Sequence, residues 1–234
     1  MKLKGFEAQE ARMLLGMFYE QLAHERVISP EAKARMKRMA DACTLHMTPL
    51  EGGDVLRLPV SALEGGALIG AAETDRRSQV LETSPLLTAQ GLREAAPVVV
   101  LLDHVEVSTL FHEFAHLLSI GPYEPEGEGT YRRKWGLRED VFRAGSEQLV
   151  CTASRHVHLN ELATDFVAET VLRSCPFGVT YRRRRIGSPP YMAFCETLER
   201  LSIAPEALLS LYFNAFDGEN RRTMARLLEA AGSG

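Results

Sequence analysis

Apolar positions at helical spacing open the chain. Between about Gln9 and Arg26, Leu14, Leu15, Phe18 and Leu22 recur every three to four residues and predict an amphipathic helix. Ser29-Pro30-Glu31 then reads as N-cap, first helical position and acidic first turn of a second helix running to about Cys43. From Thr48 to Ala96 the texture changes: Gly52-Gly53 and Gly65-Gly66 punctuate short segments in which Leu56, Leu58 and Val60 alternate with Arg57 and Pro59. Such alternation predicts short strands, with Pro59 confining the segment from Val55 to Val60 to a sheet edge. Val98 to Leu102 is a continuous β-favouring run between Pro97 and Asp103, which suits a buried strand.

The run that follows, Thr109 to Leu118, is apolar around nearly its whole circumference and predicts a buried helix capped at Ser108 or Thr109. Beyond it, Gly121 to about Ser146 carries four glycines before Arg138, together with Pro122, Pro125, Glu124, Glu126 and Glu128. That composition predicts an exposed, loop-rich excursion over 121–157, either a wall or lid of a site or a merely solvated loop. Helical periodicity returns from about His158 to Arg173 on Leu159, Leu162, Ala163, Phe166 and Val167. Three further helices are predicted, at about Pro190 to Leu201, Pro205 to Phe216 and, after a cap at Asp217, Glu219 to Ala230. The expected fold class is α+β, one domain over 1–234. Its N-terminal helices, small sheet and buried helix occupy 1–120, the excursion 121–157 and a helical half 158–234.

Composition narrows the setting. At 234 residues, 45% hydrophobic and 25% charged, the chain can bury a substantial core without staples. A net charge of -4 argues against nucleic acid as the main partner and against an anionic membrane surface. No apolar stretch is long enough to span a bilayer, and the charged start from Met1 to Glu7 predicts neither export nor an organellar transit peptide. Cys43, Cys151, Cys175 and Cys195 are widely spaced, which predicts reduced thiols in a cytoplasmic protein. Arg182 to Arg185, next to Tyr181, form either a site for an acidic or phosphorylated partner or a solvated loop.

The candidate chemistry lies inside the buried helix. His112-Glu113-Phe114-Ala115-His116 places two imidazoles one helical turn apart on one face with a glutamate beside them. Buried ionisable groups need partners, and one Zn²⁺ is the simplest partner for all three. A catalytic zinc site needs a third protein ligand, and Asn160-Glu161-Leu162-Ala163-Thr164-Asp165 offers one. Glu161 and Asp165 share a helix face, so Glu161 can complete the ligand set while Asp165 accepts the outer N–H of a histidine. Glu113 would then act as general base on water activated by the metal. His156, His158, Tyr123, Tyr131 and Tyr191 are candidate donors to a developing oxyanion, and Cys151 is a candidate thiolate holding the site latent. Two other readings remain: a non-catalytic, zinc-containing sensor or binding protein, and a zinc hydrolase acting on a non-peptide substrate.

These two segments together resemble the gluzincin zinc metallopeptidases, whose thermolysin-like members carry H-E-x-x-H followed by N-E-x-x-S-D, with Thr164 standing here in the serine position. The resemblance implies a zincin-like fold, mostly helical, with a small twisted sheet packed beside the H-E-x-x-H helix. It also implies zinc on His112, His116 and Glu161, Glu113 as base, and Asp165 supporting a histidine. Chain length, the strand before the helix and the run Glu161 to Ala168 further resemble the ImmA/IrrE family of small intracellular metallopeptidases, though Thr164 and Val167 replace its usual asparagine and alanine. Members of that family commonly act on transcriptional repressors, so a protein or peptide substrate, and a regulatory one, is the partner implied.

Overall fold

The computed structural model describes residues 8–48, 67–68, 79–81, 83–84, 86–88, 91–93, 98–102, 107–145, 149–175, 186–215 and 218–232. The segment from Val55 to Val60, the arginine run at Arg182 to Arg185 and the cap at Asp217 lie outside these residues. What is described is mixed helix and sheet, α+β in class.

Helix α1 (Ala8–Ala23) buries Ala11, Leu15, Phe18 and Leu22, while α2 (Pro30–Ala42) buries Ala32, Met36 and Ala40. The N-cap of α2 is Ser29, whose hydroxyl accepts the Ala32 N–H at 3.1 Å ahead of a proline-containing first turn. Arg12 of α1 donates to the carbonyls of Ala40 and Cys43, each at 2.6 Å, and so closes the C-terminal end of α2. Strand β1 (Thr44–Thr48) leaves that end and runs parallel to β7 (Val98–Leu102). On its other side β7 pairs antiparallel with β3 (Gln79–Leu81), so the continuous hydrophobic run is the central strand of three. Strands β2 (Ala67–Leu68) and β4 (Thr83–Ser84) form one two-stranded ladder, and β5 (Leu86–Thr88) and β6 (Gly91–Arg93) another.

Helix α3 (Val107–Ser119) packs against α1, α2, β3 and β7, and every residue from Leu110 to Ser119 is buried. Ser108 and Thr109 lie inside this helix instead of capping it. Phe18 of α1 meets Phe111 edge-on, with ring centroids 5.0 Å apart, and Phe114 at 6.2 Å.

The stretch expected as a loop-rich excursion over 121–157 is instead a four-stranded antiparallel meander. Its strands are β8 (Ile120–Gly127), β9 (Thr130–Trp135), β10 (Arg138–Ala144) and β11 (Leu149–Arg155), in spatial order β11-β10-β9-β8. Pro122 and Pro125 are compatible with strand because β8 is an edge strand among the described residues and its pairing with β9 shifts register beside both prolines. Two of the four glycines sit in two-residue hairpin turns: Gly129 and Gly136 adopt φ of 66° and 60°. One face carries an ion-pair chain from Glu126 through Arg132 and Glu139 to Arg155, linking all four strands. Within the meander Arg133 stacks 4.3 Å from the Tyr123 ring centroid, and Tyr123 packs edge-on against Phe142.

Among the described residues after the meander are four helices: α4 (Val157–Ser174), α5 (Pro189–Arg200), α6 (Pro205–Phe213) and α7 (Gly218–Gly232). Lys134 of β9 donates to the carbonyls of Leu211, Tyr212 and Asn214, capping the C-terminal end of α6 with a cation. Asn214 in turn accepts the Ser29 N–H and donates to the Val27 carbonyl, tying the α1–α2 connection to the far end of the chain. Among the described residues, buried side chains of all seven helices join one hydrophobic cluster.

Candidate metal centre

Helix α3 leads directly into β8, and β11 leads through His156 into α4, so the meander returns the chain to pack α4 against α3. Asn160 locks this return: its side-chain oxygen accepts the Leu137 N–H at 2.7 Å, fastening the β9–β10 turn to the first turns of α4. Gly136 in that turn has no room for a side chain, since a Cβ would lie 2.3 Å from the Asn160 oxygen and 2.6 Å from the Tyr212 ring.

Where α3 faces α4, His112, His116 and Glu161 converge. The two Nε2 atoms are 3.1 Å apart; Glu161 Oε1 lies 3.0 Å from His116 Nε2, and Oε2 lies 3.5 Å from His112 Nε2. Two ligand atoms about 2.0–2.1 Å from a tetrahedral zinc ion are about 3.3 Å from each other, so all three separations bracket the spacing zinc requires. Both histidines are buried, and Glu161 is half-buried, which leaves one side of the group open to solvent. These three residues form a group able to hold a metal ion.

The outer ring nitrogens explain why Nε2 faces inward. His112 Nδ1 lies 2.8 Å from Asp165 Oδ1, a wholly buried carboxylate that only accepts, so this nitrogen carries hydrogen and donates. His116 Nδ1 lies 3.4 Å from Thr164 Oγ1. Facing inward, each Nε2 either carries a proton towards Glu161 or is a bare acceptor beside that carboxylate. With both nitrogens bare, three acceptors meet and need a cation between them, a proton or a metal ion. Burial opposes the charge on Glu161, yet hydrogen bonds from the two histidines, when their Nε2 atoms carry protons, prevail and hold its carboxyl far below the usual carboxylate range. The donor set therefore fits zinc in type, number and spacing.

His116 has further support. Trp135 of β9 donates its indole N–H to the His116 carbonyl at 2.7 Å and packs edge-on to its ring at 5.7 Å. Thr164 Oγ1 also meets the Tyr212 hydroxyl at 2.7 Å, and burial raises the Tyr212 hydroxyl above the ordinary tyrosine range, so it keeps its proton. Glu113 directly follows His112 on α3 and is 5% exposed.

The other sequence candidates take varied positions. Tyr191 is engaged away from the group, its hydroxyl donating to Glu169 at 2.7 Å, two helical turns along α4 from Glu161. His158 is exposed and lines a groove with Leu159 of α4, Pro190 and Phe194 of α5 and Leu227 of α7. His156 is the N-cap residue of α4, in the left-handed conformation with φ 61°, and its side chain makes no capping bond. Tyr123 accepts from Arg133 at 2.8 Å, and Tyr131 sits on β9 across from Phe142. Cys151 lies on the outer strand β11, its sulfur near Ala153 O and Ser154 Oγ, and is not among the converging donors.

Thr164, Tyr212, Trp135 and Asn160 are the supporting residues that spacing alone did not single out. Thr164 carried a signal, a hydroxyl residue in the serine position of the second motif. Tyr212 carried none. An α+β chain with a buried His-His-Glu group is as far as fold and geometry define its class. The chain matches no protein-family profile, no curated protein and no solved structure.

Proposed function

We propose that this protein is a zinc-dependent metallopeptidase of gluzincin type, with a zincin-like fold, that hydrolyses peptide bonds of a protein substrate. The observation that carries this reading is the convergence of His112, His116 and Glu161 at ligand spacing, with both outer ring nitrogens hydrogen-bonded. Intact Glu113 favours catalysis over a structural site, because a closed structural site has no use for a base beside its ligands. The pairing of H-E-x-x-H with N-E-x-x-T-D favours peptides as substrate. The likeness to ImmA/IrrE proteins favours a regulatory, intracellular setting.

Zinc held here supplies the Lewis acidity that makes water nucleophilic near pH ~7 and polarises a carbonyl. The chain contributes the rest. His112, His116 and Glu161 would hold the ion. Asp165 and Thr164 fix the ring orientations. Glu113 takes a proton from the attacking water and delivers it to the leaving amine.

The test compares wild-type protein with Glu113→Gln for bound zinc and for new N-termini appearing when each is added to a proteome. Zinc should bind both equally, while the variant should cleave about 10²–10⁴-fold more slowly. Zinc without cleavage by the wild type would favour the sensor reading, and undiminished cleavage by the variant would remove Glu113 as the base.

A further inference from the structure

Resting on the proposed metal site, we infer that Thr164 and Tyr212 form a hydroxyl pair that sets the tautomer of His116 and thereby strengthens metal binding. Proton counting at Thr164 carries the inference. Its oxygen has one hydrogen and two lone pairs, and it has three partners: Asn160 O at 2.7 Å, Tyr212 Oη at 2.7 Å and His116 Nδ1 at 3.4 Å. The Asn160 carbonyl only accepts, so it takes the threonine hydrogen. Both remaining partners must donate. Tyr212 gives its O–H and His116 gives Nδ1–H, so that His116 Nε2, aimed at Glu161 and His112, is the ring nitrogen left for a metal ion. Reversing the tyrosine bond would send the threonine hydrogen to Tyr212 and press two bare oxygens together at 2.7 Å against Asn160.

The pair is built for permanence. Thr164 and Tyr212 are completely buried, with the Ser119 hydroxyl also beside Tyr212. Tyr212 packs edge-on against Phe213, and the neighbouring Gly136 backbone leaves its ring no slack. The tyrosine occupies one lone pair of Thr164, and the Asn160 bond polarises the hydroxyl, which makes the other lone pair a better acceptor for His116. These are positioning residues: neither is a ligand of the ion.

Selective ¹⁵N-histidine labelling of the metal-free protein, with His116 assigned by loss of its signals in His116→Asn, reads which ring nitrogen carries hydrogen. Zinc affinity is then measured by chelator competition for Thr164→Val, Thr164→Ser and Tyr212→Phe. Expected are a protonated Nδ1 on wild-type His116, zinc binding weakened about 10–100-fold by Thr164→Val, near-complete recovery with Thr164→Ser and an intermediate loss with Tyr212→Phe. A bare Nδ1 in the wild type, or wild-type affinity in both Thr164→Val and Tyr212→Phe, would overturn the inference. A wild type that takes up no zinc at all would sink the metal-site reading, and with it the binding half of this inference, while the nitrogen shifts still decide the tautomer.

Discussion

Asp165 and Thr164 are neighbours on α4, yet they face two different histidines with acceptors of unequal strength. A buried carboxylate at 2.8 Å holds His112, whereas a neutral hydroxyl at 3.4 Å holds His116. The carboxylate also makes the His112 ring a more basic ligand, which asparagine in the same place cannot do to the same degree. Asp165→Asn should therefore weaken zinc binding about 10–100-fold while the far-ultraviolet circular dichroism stays that of the wild type. Unaltered affinity would mean that the carboxylate only fills space. At this scale the converging donors were legible, because helical periodicity alone puts His112 and His116 on one face of their helix and Glu161 and Asp165 on one face of theirs. Tyr212 was not, since nothing in a sequence marks a hydroxyl that returns to Thr164 from 48 residues away.

Among the elements, the meander does the positioning. It carries the chain from the end of α3 to the start of α4, and one turn, Trp135 to Arg138, touches both sides of the site: Trp135 holds His116 and Leu137 holds Asn160. Gly136 is the weak point of that turn, being left-handed and closed in by Asn160 and Tyr212. Gly136→Ala should lower unfolding free energy by about 1–3 kcal/mol in urea titration and also weaken zinc binding, because relief of the clash moves the residue next to Glu161. Gly129→Ala, whose Cβ would meet only Ala144 at 3.6 Å, should cost stability from its positive φ and leave zinc affinity unchanged. Equal effects of the two on zinc affinity would contradict this division of labour. The helices and the strand Val98 to Leu102 were readable from periodicity. The meander was not, because prolines on an edge strand and glycines in two-residue turns have the composition of a loop. Strand pairing, which periodicity at one strand does not report, decided otherwise.

For the whole molecule, the site joins a helix from the first half of the chain to one from the second, as the Asn214 contacts with Ser29 and Val27 do elsewhere. Any ion binding the folded form alone therefore stabilises the entire fold, by about 4 kcal/mol at a free concentration 1,000 times its dissociation constant. Zinc should raise the melting temperature, a chelator should reverse the rise, and Glu161→Ala should abolish the difference; a melting temperature indifferent to both would deny the ion a place in the native state. The chain contains a single tryptophan, and Trp135 stands edge-on to His116 with its indole hydrogen on the backbone of that same residue. Its ultraviolet emission consequently arises from one known point at the wall of the centre, making the protein its own fluorescent reporter, with no dye to attach and no second chromophore of its kind to subtract.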